Sequence, residues 1–489
     1  MKRQMTIVAV GGQVLAVAVV VLSASARAED SPELPSTSFT LQKADGFRGL
    51  WYQDGDYYTG GLGTFPQQIR PYAFFACDAG ESGMTFFTYG GATENDARHL
   101  QHMISYYDHA SGQVARPRIL LDKATSDGHD NPAIMLDDDG YIYIFSNAHG
   151  RSRPSFIHRS TKPFAIDEFA KIVHLPPGPT NFSYSQPWYL AGQGFLFVYT
   201  HYESGGASRR HLHFNTSVDG IHWNYNWGSR PVIAKMPRGH YQISQMNGHT
   251  VGTAFNCNVD INRRTNLYYM ETSDMGRTWK TAGGMPLDTP LTSPDNAALA
   301  HDYMLEKRYV YLKNIQYDAK NQPVILYLTT SVVVPEISSV SKTWHTAHWS
   351  RDQAKWVIRD AFTSDQNYDH GPLYIEDDGT WRIIAPTDPG PTPLRTGGGI
   401  VMWISQDEGA TWQKTARLTP DSQFNHSYVR QPVHAHADFY AFWADGNAEA
   451  VSPSSLYFTD KHGSGVWRLP SRMDTDLAKP ALAFTPAGP

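Results

Sequence analysis

Three short stretches decide how the chain reads: Ser217-Val218-Asp219-Gly220-Ile221-His222-Trp223, Ser273-Asp274-Met275-Gly276-Arg277-Thr278-Trp279 and Ser405-Gln406-Asp407-Glu408-Gly409-Ala410-Thr411-Trp412. Each offers an aspartate to accept from backbone amides, a glycine for a left-handed position, and a tryptophan to press the turn onto its sheet. Together these are the parts of a hairpin turn. Their glycines lie 56 and 133 residues apart, close to one and two units of a common period. Sharing residues 29–489 among seven units gives about 66 residues each, the size of a four-stranded blade with its loops. The expected fold is therefore all-β, a seven-bladed β-propeller that takes residues 45–489 as a single domain. The arithmetic also admits six or eight blades, and a β-sandwich with repeated hairpins is the alternative fold.

Outward from these turns, aromatic and β-branched runs recur as short strands: Tyr141-Ile142-Tyr143-Ile144-Phe145, Phe195-Leu196-Phe197-Val198-Tyr199, Tyr309-Val310-Tyr311-Leu312 and Phe439-Tyr440-Ala441-Phe442-Trp443. No long stretch carries a 3.6-residue period. The composition agrees, with 13 Trp, 27 Tyr and 22 Phe beside 40 Gly and 31 Pro, a mixture that favours strands and tight turns. The turns resemble the Asp-box of sialidases and other propellers, a structural device that names no substrate.

A net charge of −6 excludes a nucleic-acid binder held by bulk positive charge. Any basic groups that meet an anionic ligand must then be local. Residues 1–28 read as a secretory signal peptide: Lys2 and Arg3, an apolar stretch from Ile7 to Leu22, and Ala26-Arg27-Ala28 as the cleavage signal. A membrane anchor is disfavoured by Gly11, Gly12 and Gln13 within the apolar stretch, and no later segment is apolar enough to span a bilayer. Residues 29–44 read as an N-terminal linker. The expected location is secreted, in the periplasm or the medium, after cleavage near Ala28. Cys77 and Cys257, the two cysteines, exclude a disulfide-dense scaffold, although they could pair with each other.

Two stretches suggest chemistry. Asp127-Gly128-His129-Asp130-Asn131-Pro132 precedes a strand, and Asn147-Ala148-His149-Gly150-Arg151 follows its hairpin partner. Within one blade those points return to the same end of the sheet. Two imidazoles, an amide and a guanidinium together suit acid–base work on an anion. The bland alternative is that His129 and Asn131 merely cap the turn before Pro132. The second stretch, Tyr184-Ser185-Gln186-Pro187-Trp188-Tyr189, leads through Tyr202 to Arg209-Arg210-His211. Trp188 and Tyr189 are more often packing residues, whereas an arginine beside an irregular loop can bind a carboxylate or sulfate through two hydrogen bonds.

With Gly46-Phe47-Arg48-Gly49-Leu50-Trp51-Tyr52, Gly239-His240-Tyr241-Gln242, Asn262-Arg263-Arg264-Thr265-Asn266 and Asp438-Phe439-Tyr440-Ala441-Phe442-Trp443, these stretches resemble the seven-bladed propeller lyases that cut ulvan, a sulfated uronate–rhamnose polysaccharide. The resemblance spans nearly the whole chain after the leader. It implies β-elimination at the 4-O-linkage of glucuronate or iduronate, giving unsaturated uronyl oligosaccharides. By the resemblance, Arg210 neutralises the carboxylate, with Arg209 its rival; His129 is the base; Tyr189 is the acid; and His149 replaces or assists the tyrosine. Asn131, Arg151, Gln186 and Trp188 would bind substrate. The elimination requires no cofactor. The family can carry a structural metal ion, zinc or calcium, for which His249, Cys257 and Asp260 are the candidate ligands. The expected partner is the anionic polysaccharide, with no nucleic acid or membrane, and the chain is expected to be a monomer. A sialidase-like hydrolase and a non-catalytic carbohydrate-binding propeller are the competing readings. Gly46-Phe47-Arg48-Gly49 departs from the Phe-Arg-Ile-Pro segment of sialidases.

Overall fold

The computed structural model describes residues 37–51, 63–92, 98–204, 209–259, 263–333 and 339–489. The signal-peptide stretch, the first half of the linker and Asp260 lie outside them. The chain from Leu34 to Pro489 forms one compact unit. It is a β-propeller, and among the described residues the sole helical element is a 3₁₀ turn at Gly128–Asp130.

Among the described residues the strands group into seven consecutive antiparallel meanders, the last two joined in one sheet. Their first strands are Ala73–Ala76, Pro132–Leu136, Ser183–Leu190, Gln242–Asn247, Tyr309–Tyr317, Leu373–Ile375 and Asn425–Arg430. The first six of these pack side by side in chain order, and the Val429 amide of the seventh donates to the His370 carbonyl just before the sixth at 3.1 Å, which places them innermost. Ring closure is visible in the backbone: Val433, just past the last of these strands, exchanges hydrogen bonds with Ala73 (2.9 Å) and Phe75 (2.9 Å) of the first. The N-terminal segment strengthens the closure. Gly49–Trp51 pairs with Ser452–Ser454 of the seventh meander, while Lys43 ion-pairs with Asp476 at 2.8 Å. Ser38–Thr40 and Gln42–Lys43 are edge strands on the second and first meanders, so the last residues of the supposed linker 29–44 belong to the fold. Sequence alone missed them because they bury little and pair only with residues far along the chain.

The inner meanders are covered on both faces by their neighbours, and Ile142–Ser146 is accordingly buried at every position. One core joins the second and third meanders through Phe145, Phe195, Phe197 and Tyr199; another joins the third and fourth through Trp188, Leu196, Phe214, Phe255 and Trp279. Each aspartate turn links the third and fourth strands of its meander. Asp219 accepts the amides of Ile221 (2.8 Å) and His222 (2.7 Å), Asp274 that of Thr278 (2.9 Å), and Asp407 that of Thr411 (2.8 Å). The hydroxyls of Ser217, Thr272 and Ser405 accept the glycine amides, so Thr272, not Ser273, opens the second turn.

Third strands run parallel to first strands in such a meander. The aspartate turns therefore lie at the end of the ring where the innermost strands finish. The end where they start holds the two histidine stretches.

Candidate active site

The 3₁₀ turn before Pro132 is capped by Asp127, whose Oδ1 accepts from the His129 amide at 3.1 Å. The same carboxylate binds both imidazoles: His129 Nδ1 at 2.6 Å through Oδ1 and His149 Nδ1 at 2.8 Å through Oδ2. The rings stack with centroids 4.0 Å apart. With Nδ1–H donating to Asp127, each neutral ring carries its lone pair on Nε2, the tautomer of a base. Burial alone would raise the Asp127 carboxyl. The hydrogen bonds of His129 and His149, with the positive charge each ring takes up when protonated, outweigh burial and hold it far below the usual range.

Arg153 completes this assembly. It donates to Asp127 at 2.9 Å and forks onto Asp130 at 2.7 and 2.8 Å, while Asp130 also accepts the His149 amide at 2.6 Å. Asp127, His129 and His149 converge closely enough to hold a metal ion. The Asp127 oxygens, however, already serve two imidazoles and a guanidinium, which suits an acid–base pair better than a metal centre.

The third meander supplies the facing wall. Its first strand bulges between Ser183 and Gln186, and Tyr184 there adopts φ +53°. A left-handed tyrosine in a strand is strained, and such a bulge re-aims a side chain. The Tyr184 ring lies 6.0 Å from His129, 6.2 Å from His149 and 5.7 Å from Tyr241. The Tyr202 hydroxyl donates to its oxygen at 3.3 Å. Burial, with Tyr202 and Tyr241 nearby, pushes the Tyr184 phenol well above its ordinary value.

Beyond it two guanidiniums sandwich one phenol. Arg210 and Arg264 each stand 4.0 Å from the Tyr241 ring centre, and Arg210 donates to the Tyr241 oxygen. Burial would raise this phenol, but the two cations hold it below its usual value. Arg264 also donates to Tyr368, and its Nε and Nη1 are buried with no hydrogen-bond partner. A buried cation with unused donors is costly unless an anion arrives to take them.

The structure thus brings His129, His149 and Arg210 together, along with Asp127, Arg153, Tyr184, Tyr202, Tyr241 and Arg264, which the sequence reading had not singled out as site residues. Tyr189 is not among them. It sits at the opposite end of the same strand, its hydroxyl 3.3 Å from Asp138, because the strand of Ser183–Leu190 spans the ring from end to end. Trp188 is fully buried and donates to Ser244 at 2.8 Å. Gln186 bridges the carbonyls of Gln68 and Gln242, and Asn131 donates to the Phe65 carbonyl at 2.6 Å; both hold backbone. Arg209 is exposed and donates to the Ser204 carbonyl. Arg151 lines a neighbouring pocket of about 340 Å³ with His201, His213 and Arg230.

The metal candidates separate. His249 is exposed in a hairpin and contacts Gln193, whereas Cys257 is buried at the far end of the following strand beside Tyr268. At about 3.3 Å per residue the two are more than about 20 Å apart and cannot share an ion. Both cysteines are free thiols. A cavity of about 660 Å³, lined by Arg70, Trp188, Gln245, Glu376 and Lys461, opens at the other end of the ring and is lined by none of His129, His149 and Arg210.

A family model described as BNR repeat-containing family member matches residues 98–356. No curated protein matches the sequence. Among solved structures, one described as a new family of polysaccharide lyase, PL25 ulvan lyase, superposes with a TM-score of 0.65 at 16% identity over 86% of this chain and 96% of that one. The same lyase bound to -[GlcA(1-4)Rha3S]- gives the same values. The polysaccharide lyase Uly1 gives a TM-score of 0.56 at 12% identity, over 87% of this chain and 100% of that one. No helix among the described residues is long and apolar enough to cross a membrane.

Proposed function

The chain belongs to the BNR repeat-containing family, and from that premise we propose that it is a secreted polysaccharide lyase that cleaves ulvan by β-elimination at the uronate 4-O-linkage. One observation carries the reading: two buried arginines flank Tyr241 and face a carboxylate-bound histidine pair. An anion held there lies between a charge-neutralising wall and a base. The uronate-bearing ligand of the superposing lyase supports the same class of substrate.

Elimination from a 4-linked uronate needs the C5 proton made acidic, removed, and a proton delivered to the departing O4. Arg210 and Arg264 neutralise the carboxylate, which lets negative charge build on C5 and spread into the carboxyl group. His129, with its lone pair on Nε2, takes the C5 proton, and Asp127 stabilises the imidazolium formed. Tyr184 replaces Tyr189 as proton donor. Its raised phenol keeps its proton at neutral pH, and the Tyr202 hydroxyl can stabilise the phenolate left behind. His149, stacked on His129, is the second imidazole on the same carboxylate and assists on substrates whose C5 proton faces it. Most glycoside hydrolases would instead need two catalytic carboxyls about 5–10 Å apart, and a sialidase-like one a free tyrosine nucleophile, whereas Tyr241 is held by Arg210 and Arg264. Here Asp127 and Asp130 are both engaged by Arg153.

The test is incubation with ulvan while ultraviolet absorbance and reducing ends are followed together. Absorbance of an unsaturated uronate rising in step with new ends supports the lyase. New ends without absorbance overturn it in favour of a hydrolase, and binding without new ends overturns it in favour of a carbohydrate-binding propeller.

A further inference from the structure

We propose that His109, His436 and Asp438 form a binding site for a divalent transition-metal ion of the zinc class, which fastens the first meander to the seventh where the ring closes. The three residues come from segments far apart in sequence: His109 follows the strand Leu100–Asp108, and the other two lie between Asn425–Arg430 and Ala441–Gly446. Their ligand atoms all fall within 4.8 Å of one another.

The His109 side chain is 1% exposed. Its Nε2 is fixed by Thr85 Oγ1 at 2.9 Å, while its Nδ1 is buried without a hydrogen-bond partner. When Nε2–H donates to Thr85, the lone pair lies on Nδ1. That is the arrangement in which a neighbouring oxygen orients a metal-binding imidazole. Asp438 Oδ2 stands 3.9 Å from His109 Nδ1 and 3.7 Å from His436 Nδ1. Ligands at about 2.0–2.2 Å around a tetrahedral ion lie about 3.3–3.5 Å apart, so Asp438 need close on each imidazole by only a few tenths of an ångström. The Asp438 amide contact to His436 Nδ1 at 3.2 Å gives way to the ion. Half-exposed Asp438 leaves the fourth position to water.

Phe75 ties the site to the closure. Its ring packs against both His109 and His436, and its amide donates to Val433. An ion here would add a bond across the seam that the backbone bridge already marks, and binding only to the folded ring would stabilise it.

The test uses the full chain after chelator treatment, titrated with Co²⁺ as a spectroscopic probe and with Zn²⁺ in thermal melts. Expected are one equivalent of Co²⁺ with the visible absorption of a four-coordinate nitrogen–oxygen site, and a melting rise of roughly 2–5 °C on adding Zn²⁺. Both should be lost in H436A and D438A and kept in H129A. Should H436A fail to fold, D438A alters an exposed side chain and carries the test alone. Absence of stoichiometric binding overturns the proposal. So does binding that survives D438A and disappears in H129A, which would place the ion on the histidine pair of the active site.

Discussion

At the end of the ring where the innermost strands finish, the aspartate turns satisfy their polar groups within a few residues. Asp274 accepts from Thr278, Thr272 accepts the Gly276 amide, and Trp279 covers the turn from the same segment. At the end where those strands start, the polar groups depend on segments further along the chain or on another meander. Asp127 of the second holds His149 from beyond the next hairpin, and Arg210 of the third and Arg264 of the fourth share Tyr241. Buried cations and strained Tyr184 cost stability that packing elsewhere must offset. The difference separates what builds a blade from what the ring is used for.

Substitutions can break that contrast, and the largest effect is expected at the histidine end. His129→Ala and Tyr184→Phe should each lower the initial rate of unsaturated uronate formation by about 10²- to 10⁴-fold, the usual worth of a positioned proton carrier, with melting temperatures close to wild type. Tyr189→Phe, on the same strand as Tyr184 but at the other end, should leave the rate unchanged; a large loss there and none at Tyr184 would reverse the assignment. Asp127→Asn should cost less, about ten- to a hundredfold, since the base remains but its imidazolium loses a carboxylate.

The same carboxyl gives the comparison a pH axis. His129 and His149 outweigh burial and depress Asp127 in the folded state. A depressed carboxyl contributes stability that is fully present above its unfolded value of about 3.9 and is lost as pH falls toward the folded value. The melting difference between wild type and Asp127→Asn should thus narrow as pH falls below about 4. A difference that widens in acid would mean that Asp127 is protonated in the folded protein.

Legibility in the sequence follows the same division. The aspartate turns could be read because each is complete within eight residues and repeats with the blade. The all-β fold and the ring followed from them. His129, His149 and Arg210 could be read as candidates because they stand beside strand ends in short polar stretches. Tyr184 could not be separated from Tyr189: five positions apart on one strand, they reach opposite ends of the ring, and only the start of the strand faces the histidines. Tyr241 and Arg264 carry no local mark of their pairing, which exists only once the third and fourth meanders lie side by side. Arg153, and not the expected substrate-binding Arg151, stands beside the histidines on Asp127 and Asp130, a two-residue difference inside a loop whose path no periodicity describes.

The smallest expected effects test the self-contained end, and two glycines there allow the cause to be isolated. Gly276 has φ +79°, and a Cβ on it would stand 2.4 Å from the Phe214 ring of the preceding meander. Gly248 has φ +56° in a hairpin with nothing within 4 Å of such an atom. Both substitutions to alanine incur left-handed strain, about 1 kcal/mol. At Gly276 alone a side chain must also be displaced, for a total of about 2–4 kcal/mol. Gly276→Ala should therefore melt several degrees lower than Gly248→Ala, with the rate per folded molecule unchanged in both. Equal melting temperatures would mean that the turn is held by its own hydrogen bonds and not by its fit against the neighbouring meander. A fallen rate in Gly276→Ala would mean that the two ends of the ring are coupled.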